Sequence, residues 1–396
     1  MTEEVDDPGS LLGQVPADHP ILWLRRGEGL VGFGAALRLE FEGPNRFDDA
    51  ASAWRRIVHD AQVIDPLKLP GSGLVALGTF AFSPRSTSRS VLLVPSLLLG
   101  RRGGRAWLTR VNSTEVLGAE REPAASVVTF EPGELSPEGF RDAVASALHH
   151  IQSGRLSKVV LARDLLGMAP PNIDVASALR NLAVGYPDCW TFAVDGFFGS
   201  SPETLVSVRA GVVSARVLAG SAARGTDVAS DQSAAIDLAT SSKDQDEHEY
   251  AVQSVLAALR RHSPAVRASE VPYALKLPNL WHLASDVEGP LDDGSSALDL
   301  VAALHPTAAV AGTPTPEAMV LIDELEPFDR GRYAGPVGWI GADGDGEWAI
   351  ALRCAQLESD GRVRAFAGAG IVAESIPGHE LAETTMKFRP IVEAFD

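Results

Sequence analysis

Ala367-Gly368-Ala369-Gly370-Ile371-Val372, followed by Glu380, Glu383 and Lys387, is the stretch whose reading decides the fold. An apolar, glycine-rich strand runs into a helix whose first turns carry two carboxylates three residues apart, on one face. Asp244 and Glu247 repeat that spacing at the opening of a second helix far upstream. Two such pairs suit a hard divalent cation such as Mg²⁺, which takes oxygen ligands and leaves the rest of its shell to water and an anionic substrate. Taken singly, each pair reads more readily as acid favoured by a helix dipole.

Working outward, Ser136 is a good N-cap with Pro137 behind it, and Phe140, Val144, Leu148 and Ile151 keep a helical stripe until Gly154. A β-branched strand follows at 155–162 with Lys158 inside it. Asp174 caps a helix to about 184, and strands are expected at 190–194, 204–208 and 212–217. Further helices are expected from Asp244, over 296–304, 316–325 and 381–395, and a hairpin pairs 337–340 with 347–356 around Asp343-Gly344-Asp345-Gly346. Between 21 and 130, short apolar runs, among them 73–82, 90–99, 106–111 and 126–130, alternate with turn signals. Gly71-x-Gly73-x-x-Ala76 mimics a dinucleotide fingerprint but follows a loop and leads into no helix, so a nucleotide is not expected. Residues 1–18 read as a flexible acidic tail. Strands and helices interleave without strict βαβ alternation and with no linker or repeat. That predicts one large α+β domain over 19–396, strand-rich over 19–135 and motif-bearing over 136–396.

The 396 residues are 45% hydrophobic with mean hydropathy +0.05, enough for a substantial core. Fifty-two acidic against 34 basic residues give a net charge of −18, which argues against nucleic acid and anionic membrane as partners. An anionic small molecule stays open, because a bound metal inverts the local sign. The 2 cysteines, Cys189 and Cys354, give no disulfide framework. Residues 1–8 lack a signal-peptide pattern and no run is apolar enough to span a membrane, so a cytoplasmic protein is expected.

Lys158 is unusual inside an apolar strand. It reads either as a snorkelling edge lysine or as a base whose pKa is lowered by burial. An unperturbed lysine, with a pKa of roughly 10.4, is free amine only about once in 2,500 at pH 7, so a useful base needs a depression of some 2–3 units. Glu203, in Ser201-Pro202-Glu203-Thr204-Leu205, enters a strand from a turn. It is an exposed turn acid or, near a buried lysine, a proton donor. His379-Glu380-x-x-Glu383 lacks the second histidine of a zinc motif. Arg353, inside a strand, can clamp a carboxylate or close a salt bridge.

Together these segments resemble the chorismate-utilising enzymes, and most closely the isochorismate synthases among them. The segments are Ser157-Lys158-Val159-Val160-Leu161-Ala162-Arg163, Ser201-Pro202-Glu203, Leu218-Ala219-Gly220-Ser221-Ala222, Ser242-Lys243-Asp244 through Glu247-His248-Glu249 and Leu304-His305-Pro306-Thr307. Tyr333 through Trp339, Leu352-Arg353-Cys354-Ala355, Ala367 through Val372 and Glu383-Thr384 to Lys387 complete the set, in order, over 136–396. The resemblance implies a fold of two stacked, mostly antiparallel sheets with helices outside and a Mg²⁺-dependent site. It implies Glu247 and Glu383 as direct metal ligands, with Asp244 and Glu380 holding metal-bound waters. Arg353 and Tyr333 would bind the enolpyruvyl carboxylate of chorismate. Backbone amides around Gly220, Ser221, Ala369 and Gly370 would add donors, His305 would line the substrate site, and Lys387 would add positive charge. Lys158 would activate a water that attacks C2, and Glu203 would protonate the departing C4 hydroxyl.

Anthranilate synthases and their ammonia-using relatives usually carry glutamine at the position of Lys158, so lysine favours water. Salicylate synthase shares the lysine, the glutamate and the metal ligands and stays as an alternative. A non-catalytic chorismate-binding relative is the reading from another class. The resemblance also implies a monomer without an amidotransferase partner.

Overall fold

The computed structural model describes residues 1–113, 127–171, 173–276 and 280–395. Among these, twelve strands form one sheet and ten form another, and every pair is antiparallel. The fold is α+β, as the alternation implied. The main core lies between the sheets, where Trp23, Trp107, Phe192, Trp339 and Trp348 are buried. Strand alternation turns Leu22, Leu24, Ala365 and Ala367 to the other face of the larger sheet, where the helices Val175–Gly185 and Pro377–Ala394 cover them.

The helix Pro137–Gln152 starts as expected, with the Ser136 side chain accepting from the Gly139 amide, and Ala297–Leu304 and Thr315–Leu325 also form. Four expectations need correction. Residues 1–18 are not a loose tail: Thr2–Val5 is an edge strand paired with Arg105–Arg110, and Leu11 and Val15 are buried. Glu4 and Glu3 on that strand meet Arg105 and Arg110, which neutralises its acidity. The strand-rich third holds a helix, Arg46–Asp60, whose Phe47, Ala50, Ala51 and Trp54 form a buried stripe. A second unexpected helix, Val228–Thr240, precedes the one that carries Asp244, which spans Ser242–Leu259. Finally, the segment 347–356 is not one strand. Of the strand expected at 126–130, Ser126 lies outside the described residues and Phe130–Pro132 forms.

That interrupted segment shapes the site. The strand Gly346–Ile350 belongs to the smaller sheet and Cys354–Leu357 to the larger. The chain crosses between them at Arg353, whose φ of 47° is left-handed, an uncommon state for a side chain other than glycine. A second crossing lies beside it, where Phe197–Ser201 of the larger sheet leads into Thr204–Arg209 of the smaller. The crossings are bonded together: the Ser200 amide donates to the Arg353 carbonyl at 3.0 Å and the Ile350 amide to the Glu203 carbonyl at 3.1 Å. Arg353 and Glu203 therefore meet at one seam between the sheets.

Candidate active site

Lys158 opens the strand Lys158–Met168 of the larger sheet, next to the strand Arg362–Ile371. Its side chain passes over Gly370, where an added Cβ would lie 3.2 Å from its Cε. A side chain there would crowd the lysine stem. Behind Lys158 the strand pairs with Thr313 and Gly312 at its start and with Phe130–Pro132 from Leu165 to Gly167. Between those two partners the buried pair Glu326–Arg330 takes the ladder's place. Glu326 accepts from the Ala162 amide at 2.7 Å, and Arg330 donates to the Val160 carbonyl at 2.7 Å and the Val310 carbonyl at 3.0 Å.

The glycine-rich strand explains the donors. Its other neighbour pairs no further than Phe366, so one edge of Ala367–Ile371 is open. Val160 and Ala162 turn their amides away from this strand, so their opposite residues, Gly370 and Gly368, face the open edge. Lys387 confirms the direction by donating to the Gly368 carbonyl at 2.9 Å. Ala369 is buried opposite Leu161, its backbone turned into the ladder. Of the two expected amides, Gly370 faces the site and Ala369 does not. Tyr333 is buried, stacked on Phe366 with centroids 5.3 Å apart, and its hydroxyl lies 2.9 Å from where a Gly368 Cβ would stand. Burial raises its pKa, so the phenol stays protonated. Among the described residues the Arg353 guanidinium takes no ion pair or hydrogen bond, although its charge reaches Glu203 and Lys387.

The smaller sheet supplies the opposite side. Glu203 is half-buried. Burial pushes its carboxyl above the usual range while the charges of Lys158, Arg353 and Lys387 pull it back. Gly220, at φ 74°, sits at a register break in the strand Val212–Ala223, and Ser221 pairs through its backbone with His282. An added Cβ on Gly220 would stand 3.2 Å from Asp244, so glycine lets the helix start approach. From that helix Glu247 comes within 4.0 Å of Lys158. From the helix Pro377–Ala394, Glu383 accepts from Lys387 at 2.5 Å, and burial raises the Glu380 pKa. Burial lowers the pKa of Lys387, opposed by Glu383.

His305 is not in this group. Its Nε2–H donates to the Phe82 carbonyl at 2.9 Å, and its ring lies edge-on to Phe47 and Phe82. The histidine braces the interior because the cluster supplies an acceptor and two aromatic faces. Sequence reading missed His282, whose Nδ1 donates to the Gly220 carbonyl at 3.3 Å and whose pKa burial lowers, with Lys387 and Lys158 adding to the effect. Its one signal was a histidine alone in an apolar strand.

A family model described as chorismate binding enzyme matches residues 7–116 and 106–396. The chain belongs to the chorismate-binding enzymes. This chorismate-binding enzyme is 43% identical over 270 residues to isochorismate synthase DhbC of Bacillus subtilis, covering 65% of the chain and 68% of that protein. It is 35% identical over 327 residues to isochorismate synthase EntC of Escherichia coli K12, covering 81% of each. The solved structure of MenF, the menaquinone-specific isochorismate synthase of Escherichia coli, superposes with a TM-score of 0.81 at 25% identity, over 100% of this chain and 94% of that one.

Whether the carboxylates fit Mg²⁺ turns on their number and kind. Among the described residues no three His, Cys, Asp or Glu side chains stand close enough to hold an ion together. Mg²⁺ is commonly held by one or two carboxylates plus water and substrate oxygens. Glu247 and Glu383 are all-oxygen donors with side chains 44% and 42% exposed, each turned to a lysine that a cation could displace. The donor set fits in kind. Among the described residues no helix is long and apolar enough to cross a membrane.

Proposed function

We propose that this chain converts chorismate to isochorismate in a Mg²⁺-dependent reaction. The carrying observation is that Lys158 of the larger sheet and Glu203 at the seam lie close enough for charge to couple them, the carboxyl being raised by burial and held back chiefly by the lysine. A proton donor and a proton acceptor in one neighbourhood are what a hydroxyl exchange needs.

Glu247 and Glu383 would hold the cation, with Asp244 and Glu380 reaching it through water. Bound there, Mg²⁺ supplies charge neutralisation for the ring carboxylate. Arg353 would offer an unpaired guanidinium to the enolpyruvyl carboxylate, with the Tyr333 hydroxyl and the Gly370 amide as further donors. Lys158 takes a proton from the water whose oxygen bonds to C2. The ring double bonds shift, the C4–O bond breaks, and Glu203 gives its proton to the departing hydroxyl. One water enters and one leaves, so substrate and product are isomers. The chain acts as a monomer without an amidotransferase.

Purified protein with chorismate and Mg²⁺ should give isochorismate by chromatography, and EDTA should abolish it. Salicylate formed alongside would move the reading to a salicylate synthase. No product from fully folded, Mg²⁺-supplied protein would leave only binding.

A further inference from the structure

His248 follows Glu247 in the helix but points the other way, and it is buried. Its Nδ1 lies 3.0 Å from the Ala219 carbonyl and its Nε2 2.8 Å from the Ser285 hydroxyl. A carbonyl only accepts, so Nδ1 carries the hydrogen; in the neutral ring Nε2 then accepts from Ser285.

The location gives these two bonds their weight. Ala219 stands at the register break beside Gly220, and the break leaves two successive carbonyls to side chains: His248 takes Ala219 and His282 takes Gly220. Ser285 lies on the strand Leu280–Pro290, three residues beyond His282. One imidazole therefore bonds three elements together. They are the helix start with Asp244 and Glu247, the bulge with Gly220, and the strand with His282. The hydrophobic contacts of this helix, through Val252, Leu256 and Leu259, all lie further along it.

We infer that His248 is a positioning residue, which by holding a single tautomer between Ala219 and Ser285 fixes the acidic helix start against the Gly220 bulge and so sets the affinity of Glu247 for a divalent cation. This rests on the reading of Glu247 as a ligand. The chemistry is that of outer groups orienting metal ligands, whose loss commonly costs about 10–100-fold in affinity.

The test measures Mn²⁺ binding by electron paramagnetic resonance on the full-length protein, beside its melting temperature. His248→Asn keeps an N–H near the Nδ1 position and is expected within about threefold of wild type. Ser285→Ala keeps the Ala219 bond but removes the partner of Nε2, and is expected to weaken Mn²⁺ binding by less than His248→Gln does. His248→Gln, whose amide reaches the Nε2 position instead, should bind Mn²⁺ about 10–100-fold more weakly. Wild-type affinity in folded His248→Gln, or equal loss in His248→Asn, overturns the assignment; if His248→Gln does not fold, the His248→Asn affinity alone decides. Wild type that binds no Mn²⁺ also overturns it. Wild type that binds Mn²⁺ yet makes no isochorismate sinks the proposed function and leaves the positioning role standing.

Discussion

The two sides of the site are built from matching parts but differ in the charged groups they add. The larger sheet offers a glycine-bearing strand, an acidic helix start and two amines, Lys158 and Lys387. The smaller sheet offers a glycine bulge, an acidic helix start and a carboxyl, Glu203. The matching parts bring main chain and carboxylates close to a ligand from both directions. On the proposed mechanism that difference would separate proton acceptor from proton donor, and neither half would act without the other. The helix starts also differ. Glu383 is locked onto Lys387 at 2.5 Å, whereas Glu247 only approaches Lys158 at 4.0 Å.

The hardest blow to this division of labour is removal of either proton carrier. Lys158→Ala and Glu203→Gln should each lower turnover by about a thousandfold, within the range of general acid–base catalysis. Because the two act as a unit, the double variant should be scarcely worse than either single one. Steady-state kinetics with melting temperatures within a few degrees of wild type check this. Full additivity would mean that the residues do not act in one step.

A group outside the cleft gives the contrast. Burial holds the His305 pKa down at about 4. Between pH 6.5 and about 4 the unfolded chain binds a proton that the folded chain refuses, so stability is lost as pH falls through that window. The loss is at most about 3 kcal/mol from this one group. Denaturant melts at pH 7 and pH 4.5 should show it, and His305→Gln should flatten the difference while leaving turnover per folded molecule near wild type. A large fall in turnover would return His305 to the cleft.

Next in size is the difference between the helix starts. Glu247→Gln and Glu383→Gln should each raise half-saturating Mg²⁺ by about 10–100-fold, as in other sites that lose ligand support. Only Glu383→Gln should lower the melting temperature appreciably, because it leaves the mostly buried Lys387 without its neutralising carboxylate. Equal melting temperatures would erase the distinction between a locked and an open carboxylate.

Much of this was legible in the chain. Capped, periodic helices such as Pro137–Gln152 and the long strand from Lys158 follow from local rules. The helix Arg46–Asp60 was missed because Arg55, Arg56 and Asp48 break up its apolar composition, though not the spacing of Phe47, Ala50, Ala51 and Trp54. The crossing at Arg353 was invisible, since Trp348 through Gln356 has no glycine or proline to mark a turn. The gathering of Lys158, Glu203 and the two acidic pairs rests on contacts far apart in sequence, which only the resemblance to a family could suggest. Even that resemblance names residues without aiming them. It could not tell that His305 turns inward to Phe82 or that Ala369 spends its backbone on Leu161.

Arg353 provides the finest cut, because it belongs to both sides at once. Its left-handed backbone lies where the chain leaves one sheet for the other, so the direction of its side chain is set by the seam. Among the described residues it meets no carboxylate, while Arg330 nearby is fully engaged by Glu326 and two carbonyls. An arginine left unpaired between two charged sides suits a ligand carboxylate, and a charge-assisted bond of this kind is worth about 1.5–3 kcal/mol. Arg353→Met should therefore raise KM for chorismate by roughly 10–100-fold. Arg353→Lys keeps the charge but loses the planar fork and should recover only part of that. Turnover at saturation should fall less than KM rises, since the lost contact binds substrate and transition state alike. If turnover instead collapses with KM unchanged, Arg353 works on Glu203 across the seam, and the enolpyruvyl carboxylate must be held by other donors.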